Sequence, residues 1–498
     1  MSNAGLRLAL LGAAIRIALA PFFMHTWDIT TILTATDQFL KGISPYQYVV
    51  QQARSLYETT GLPLPYYGFA YLPVVLYIYA PFYALYQLLT GGSTTPLVGG
   101  HSNIYTGLKL VYPQLYAALL SIKLPVILAD TATIYLLHNR SPKAAKIYAF
   151  SPYVIVITSL WGNFDPLVGH LLLLSYLTFK NNKFVSGLLF GLSTMKFYTI
   201  VCLGAFLPRL INQPKQLMRF LAGFAIAHLP TLYYLATDTE NLLYIVAFQG
   251  TRPINGVNIY YSMVAVRGLE QVLLLTRIIS AIFVIAVILV SVSYARNRVE
   301  LNEAITGLML TYIVFAPVTN EQLLAALVPI GLISRNFSHK LTIFPLLYIA
   351  FNSTYHYFAI PIFFSSQELR TVWESFNALW ALMVKDYQLQ LRYLFGVGLG
   401  LSAFWLLSDT KHIPRTVLKL GVTSRSKNTY PKPLKRVETP HPSKEPSLLR
   451  NHLIRKMMRI KVPLLHREAE FFLFAMVTSY AAFLLYYTLS TTPSCPIC

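Results

Sequence analysis

The feature that most constrains this chain is its succession of long, nearly uncharged apolar runs. Several windows hold about 17 to 25 such residues, enough to cross a hydrocarbon core of roughly 30 Å as a helix rising 1.5 Å per residue. Runs such as 167-LVGHLLLLSYLTF-179 are continuously apolar and lack the alternation that a transmembrane β-barrel requires. The fold class predicted is therefore all-α: a polytopic transmembrane helical bundle of about 11 to 13 spans or half-spans with a long extracytoplasmic first loop. Composition agrees, since 55% of the residues are apolar and 12% charged, about half the charged share of soluble proteins.

The net charge of +21 raises the question of nucleic acid, and its distribution answers it. Between Lys411 and Arg467 fifteen Lys and Arg stand against two Glu, so thirteen of the twenty-one excess charges lie in one polar segment. That pattern fits a tail beside an anionic membrane surface, and no nucleic-acid partner is predicted. Three domains follow: a transmembrane core over 1–410, a basic cytoplasmic segment over 411–467, and one further helix with a tail over 468–498. The three cysteines, Cys202, Cys495 and Cys498, supply no disulfide framework, and the terminal C-P-I-C reads as a tail rather than a metal or redox site. Arg16 interrupts the first apolar run and no small-residue cleavage site follows, so no cleavable signal peptide is predicted.

Basic residues near span ends mark the cytoplasmic side. Placing Arg140 to Lys146, Lys180 with Lys183, Arg209 to Arg219, Arg296 with Arg298, and Arg335 with Lys340 on that side fixes the path. The first span, 5–24, leads outward; 111–137 returns; 147–161 and 166–179 go out and back. The run 184–207 is too short for two spans, which predicts half-helices meeting near Lys196. Spans at 220–236, 275–295, 304–318, 323–334, 341–362, 389–408 and 469–490 complete the path. The segment 66–89, interrupted by Pro73 and Pro81, is read as bent helix lying against the bundle, because a full crossing there would invert everything after it. Eleven of the nineteen acids then fall outside, among external loops rich in Tyr, Trp, Asn and Gln, as a polar-ligand site would require.

Two of these acids follow the first span in 25-HTWDITTILTATDQFLKGISPY-46. Asp28 and Asp37 are nine residues apart, about 180° around a helix, so they need separate roles. Asp28 is a candidate general base at the membrane edge, the alternative being a helix cap or a solvated loop acid. Asp37 is expected to tie down the loop through Lys41 at i+4. In 161-WGNFDPL-167, Asp165 is suited to cap the next helix with Pro166 behind it, or to touch ligand, while Trp161 and Asn163 suit the face of a sugar. Lys196 is a cation inside an apolar run, either functional or snorkelling. Arg252 is suited to a phosphate, or to pairing with Glu240. Asn320, Glu321 and Gln322 set a polar turn between two half-spans, as at a cavity wall. Asp130, two turns from Lys123, is read as a buried structural contact, and the sequons at Asn336 and Asn352 do not imply glycosylation of this chain. P-loop, Gly-rich nucleotide and HExxH motifs are missing.

The ordered motifs D28-ITTILTATDQFLK-G42-I-S44-P45-Y46, 66-YYGFAYLPVVL-76, 123-KLPVILAD-130, 161-WGNFDPLVGHLLLLSYL-177 and 187-GLLFGLSTMKFYTIV-201 together resemble the glycosyltransferase C superfamily. The resemblance is to the catalytic subunit of the first GPI mannosyltransferase and its archaeal and bacterial relatives, and it covers roughly residues 20 to 205. It implies a polyprenyl (dolichyl) phosphate sugar donor, most simply of mannose, and a lipid-linked or glycan acceptor. It also implies an extracytoplasmic active site in a plasma or ER membrane, and no cofactor. Asp28 matches the acidic motif of the first loop and would be the base of a direct, inverting displacement. Where the GPI enzyme has Asp-x-Asp, this chain has 26-TWD-28, and no metal is predicted. The family's Gly-Asn turn matches Gly162 and Asn163, and its Lys-aromatic-Tyr matches Lys196, Phe197 and Tyr198. Lys196 or Arg252 would then stabilise the leaving phosphate. Two other classes remain open on the residues alone: a transporter or lipid flippase, and a noncatalytic scaffold subunit.

Overall fold

The computed structural model describes residues 3–47, 50–51, 69–91, 112–251, 254–260, 269–297, 299–335, 337–353, 358–359 and 388–408, with isolated positions between 368 and 379. The segments 411–467 and 468–498 lie outside the described residues, and so does the span predicted at 469–490. The described chain is mostly helical.

Helix α1 (Asn3–Leu19) is closed by a 3-10 turn at Ala20–Phe22, where Pro21 enters. The short strand β1 (Met24–His25) leads into α2 (Thr26–Leu40), then α3 (Val74–Thr90) and α4 (Tyr112–His138). Helices α5 (Pro142–Ala149) and α6 (Pro152–Trp161) form one path bent by 50°. The bend is written in two Ser-Pro pairs: Ser141 and Ser151 each accept the backbone N–H three residues on, at 3.3 and 3.4 Å, with proline at the first helical position. Then come α7 (Asp165–Phe179) and α8 (Lys183–Ser193), a 3-10 stretch at Phe197–Cys202, and α9 (Leu203–Leu210). Helices α10 (Pro214–Ala227) and α11 (Leu229–Thr237) meet at 54°, with Pro230 at the joint. The remaining elements are α12 (Thr239–Thr251), β2 (Asn255–Gly256), α13 (Leu269–Arg296), α14 (Leu301–Phe315), β3 (Val318–Thr319), α15 (Leu324–Gly331), α16 (Ile343–Tyr348), β4 (Phe358–Ala359) and α17 (Gln388–Ser408).

Among the described residues four helices are long and apolar enough to cross a membrane: Asn3–Phe22, Tyr116–His138, Leu274–Arg296 and Leu391–Ser408. Each bent pair, counted as one span, brings the number to six, and shorter apolar helices fill the space between. Helix α13 carries Leu274, Ile278, Ile282, Ile285 and Leu289 exposed in one stripe, a surface suited to hydrocarbon and poorly suited to water. The half-helices predicted around Lys196 are present: α8 ends at Ser193, and the Thr199 hydroxyl takes up carbonyls freed by the break, Ser193 O at 3.0 Å and Lys196 O at 3.1 Å.

Contacts between distant loop ends join segments that the basic clusters put on one side. Strand β1 pairs antiparallel with β4, and β2 pairs parallel with β3, all four at ends predicted external. Ser44 donates to Asp238, also external to external. At the opposite ends Arg209 donates to the Val299 carbonyl, and Asn302 to the Ile333 carbonyl at 2.9 Å. Helix α3 lies between α2 and the first half of α4: Gln87 reaches Asp37 at 3.4 Å, and Ser121 donates to the Phe82 carbonyl at 2.6 Å. At 17 residues α3 is shorter than the crossing helices, consistent with a helix lying against the bundle.

Two buried apolar clusters make up the core. One gathers α5, α6, α8 to α10 and α13 to α17 with the later parts of α4 and α7; the other gathers α2, α3, the middle of α4 and the start of α7. Trp161 belongs to the first and Phe164 to the second, so the turn 161–165 lies where the two meet. A buried ionic cluster ties the N-terminal helix in. Arg16 pairs with Asp130 at 2.7 Å, and Asp130 also accepts from Tyr148 at 2.5 Å and Thr158 at 2.7 Å. Lys123 is therefore not the partner of Asp130; it donates to the carbonyls of Ala20 and Ser159 at 2.8 and 2.7 Å, and to that of Phe23. The structural role expected of Asp130 holds, but its cation comes from a helix 114 residues away, which spacing within α4 does not reveal.

Candidate active site

The site is built on one turn. Helix α6 ends in a π-helical stretch at Val156–Trp161, and Gly162 reverses the chain with φ +83°. A Cβ on Gly162 would stand 2.6 Å from Ile29 and 2.7 Å from Lys123, so this position requires glycine on both conformational and steric grounds. The reversal presents Trp161 and Asn163 to the same carboxylate. Trp161 Nε1 donates to Asp28 Oδ2 at 2.5 Å, and Asn163 Nδ2 donates to the same oxygen at 2.8 Å.

Asp28 lies in the first turn of α2, where the N-terminal helix dipole favours a carboxylate. The cap of that helix is His25, whose Nδ1 accepts the Asp28 N–H at 3.3 Å, so the cap reading of Asp28 does not hold. With Nδ1 occupied as an acceptor, the ring is neutral, and it stacks on Trp161 at 4.1 Å and 12°. His25 Nδ1 is 3.7 Å from Asp28 Oδ2. Asp28 Oδ1 makes no hydrogen bond among the described residues, and the side chain remains 10% exposed. One carboxylate oxygen is thus fixed by two donors, and the other has no partner among the described residues.

Behind Asn163 the network continues. Lys196 Nζ donates to Asn163 Oδ1 at 3.0 Å and to Asp165 Oδ2 at 2.5 Å, and Tyr198 donates to Asp165 Oδ1. Because the oxygen of Asn163 faces an ammonium and its nitrogen a carboxylate, the amide has only one sensible orientation. Lys196 also lies 4.5 Å from the Phe164 ring and 5.3 Å from that of Tyr71. Tyr71 is held in turn by Tyr46, which donates to its carbonyl at 2.8 Å. Burial, with Tyr234 and Asp238 nearby, pushes the Tyr46 phenol well above its usual range and keeps it a donor.

Several expectations change here. Asp165 caps nothing with its side chain; it is fully buried and consumed by Lys196 and Tyr198. Lys196 does not snorkel, and its charge is already matched, so it is not free to neutralise a phosphate. Trp161 is buried rather than exposed: its face is covered by His25 and its N–H is spent on Asp28. Asp37 takes the loop role expected of it, pairing with Lys41 at 2.5 Å away from the Asp28 network. Its separation from Asp28 on α2 is the one that helical spacing requires. The turn Asn320–Gln322 follows β3 and meets the site indirectly, since Tyr153 donates to the Glu321 carbonyl at 2.6 Å and lies in electrostatic range of Asp165. Arg252 lies outside the described residues.

The chemistry available is proton abstraction by a preorganised carboxylate in a largely dry setting. Among the described residues no group of three or more His, Cys, Asp or Glu side chains is clustered as a metal ion would need. Sequence reasoning missed the roles of His25 and Tyr71, because neither a stacked cap nor a ring under a lysine leaves a local pattern. Comparisons with protein-family models, with curated proteins and with solved structures found no match.

Proposed function

We propose that this chain is an integral membrane glycosyltransferase. It would move a hexose, by resemblance mannose, from a polyprenyl (dolichyl) phosphate to a lipid-linked or glycan acceptor on the extracytoplasmic face. The observation that carries the reading is the asymmetry of Asp28: Oδ2 is pinned by Trp161 and Asn163, while Oδ1 has no partner among the described residues. A carboxylate with a purely structural task would use both oxygens, as Asp130 and Asp165 do.

In the proposed reaction Asp28 Oδ1 takes the proton of the acceptor hydroxyl. The acceptor's hydroxyl oxygen forms the new bond to the anomeric carbon as the bond from carbon to the lipid-phosphate oxygen breaks. The phosphate leaves with the electron pair, and the sugar is inverted. Lys196 and Asp165 hold Asn163 and serve as positioning residues, so neutralising the phosphate falls to Arg252. The broken helices at 194–196 and 316–323 also suit a transporter or flippase, which supplies the competing reading.

The test is to reconstitute the purified chain in vesicles with a polyprenyl-phosphate mannose labelled in the sugar. A covalent glycoside of inverted configuration in the acceptor fraction supports transfer. Movement of label across the bilayer without a new glycoside refutes it in favour of transport.

A further inference from the structure

Tyr79 differs from the polar side chains already described around the site. It lies on α3, is fully buried, and its hydroxyl has no hydrogen-bond partner among the described residues. Asn163, Asp165, Lys196, Tyr198 and Tyr153 are all bonded nearby. The Tyr79 ring stands edge-on to Phe164, centroids 6.3 Å apart, and Phe164 is the residue between Asn163 and Asp165. Its phenol oxygen is in electrostatic range of both Asp165 and Asp28. A buried hydroxyl without a partner is destabilising, so phenylalanine would be the better residue here unless a ligand uses the oxygen.

Local charge selects the ligand. Asp28 and Asp165 contribute two negative charges, Lys196 one positive, and His25 is neutral while it caps α2. An anionic phosphate oxygen brought to Tyr79 would enter a field of net negative charge. A neutral sugar hydroxyl carries no such penalty and can accept the phenolic proton.

We propose that the Tyr79 hydroxyl is a saccharide-binding group, donating to a neutral hydroxyl of the sugar that Asp28 acts upon and holding it against Asp28 Oδ1. This assignment rests on the transferase reading and adds to it a residue from the helix that lies against the bundle.

The test is Tyr79→Phe in the full chain, reconstituted in lipid nanodiscs, with methyl α-mannoside and inorganic phosphate as probes. The variant is expected to melt at or above the wild-type temperature, because the orphan hydroxyl is gone. Transfer falls about tenfold, carried by KM with kcat little changed, as for loss of one hydrogen bond to a neutral group. Methyl α-mannoside raises the melting temperature of the wild type and not of the variant. A wild-type KM, a lower melting temperature, or a stabilisation by phosphate that depends on Tyr79 overturns the assignment. So does a mannoside shift that is equal in both proteins or missing from the wild type. If the wild type transfers no sugar, the transferase reading fails by itself, and the mannoside shift still decides the role of Tyr79.

Discussion

Lys196→Met measures how strongly the site is held from behind. Lys196 Nζ lies 2.5 Å from Asp165 Oδ2 and 3.0 Å from Asn163 Oδ1, with the two charged side chains 7% and 0% exposed. Removing one partner of a buried pair costs about 3–5 kcal/mol, because the other charge is stranded. For 498 residues the usual unfolding entropy is roughly 1 kcal/mol per degree, so the expected fall in melting temperature is about 3–5 °C. Asp165→Asn strands the ammonium instead and is expected to lose a similar amount. The double variant removes both charges and is expected to melt above at least one of the singles, with a coupling of about 2–3 kcal/mol. Thermal unfolding of the four proteins in one detergent provides the cycle. Additive shifts, or single variants within about 1 °C of wild type, would refute the buried-pair reasoning.

Three further outcomes follow from named contacts. Trp161→Phe keeps the ring that stacks on His25 and removes the donor to Asp28; transfer should fall about 10- to 100-fold, as for a hydrogen bond to a charged group, and steady-state assays of sugar transfer check it. Gly187→Ala would place a Cβ 1.9 Å from the Phe220 carbonyl oxygen, forcing α8 and α10 apart; an overpacking loss of about 1–3 kcal/mol should appear as a lower melting temperature and yield. Cysteines at Ile43 and Asn181, both exposed, in a chain without Cys495 and Cys498, should react with impermeant reagents from opposite sides of sealed vesicles. Labelling from one side would mean that α3 crosses the membrane.

What the sequence made legible follows from which forces are local. Apolar run length and Pro breaks act within a few residues, so the helices and the break before Lys196 are readable from order alone, whereas 147–161, read as one span, is bent by 50° at Ser151. The i,i+4 pair of Asp37 with Lys41 is local for the same reason. Charge asymmetry put Asp28, Asp165 and Asp238 together on one side, and the contacts of the described loop ends join segments that the same asymmetry had grouped. The partners of buried charges were not legible. Arg16 finds Asp130, and Lys196 finds Asp165, only after distant helices pack, with separations of 114 and 31 residues. The same limit hid the double use of Asn163, which faces a carboxylate with its nitrogen and an ammonium with its oxygen. An apolar stretch like α3 reads as lipid-facing until its neighbours are known; Tyr79, Tyr83 and Tyr86 instead turn one face inward.

The most direct test of the central claim is the rate of sugar transfer by Asp28→Asn, measured beside Asp37→Asn with polyprenyl-phosphate mannose in reconstituted vesicles. The amide keeps the shape of Asp28 and an oxygen for Trp161 and Asn163, but it cannot take a proton. Transfer is predicted to fall at least 100-fold in Asp28→Asn, the usual range for loss of a general base. Asp37→Asn should transfer at a rate near that of wild type, and Asp28→Asn should melt within a few degrees of it. Wild-type transfer by a folded Asp28→Asn protein would contradict the account.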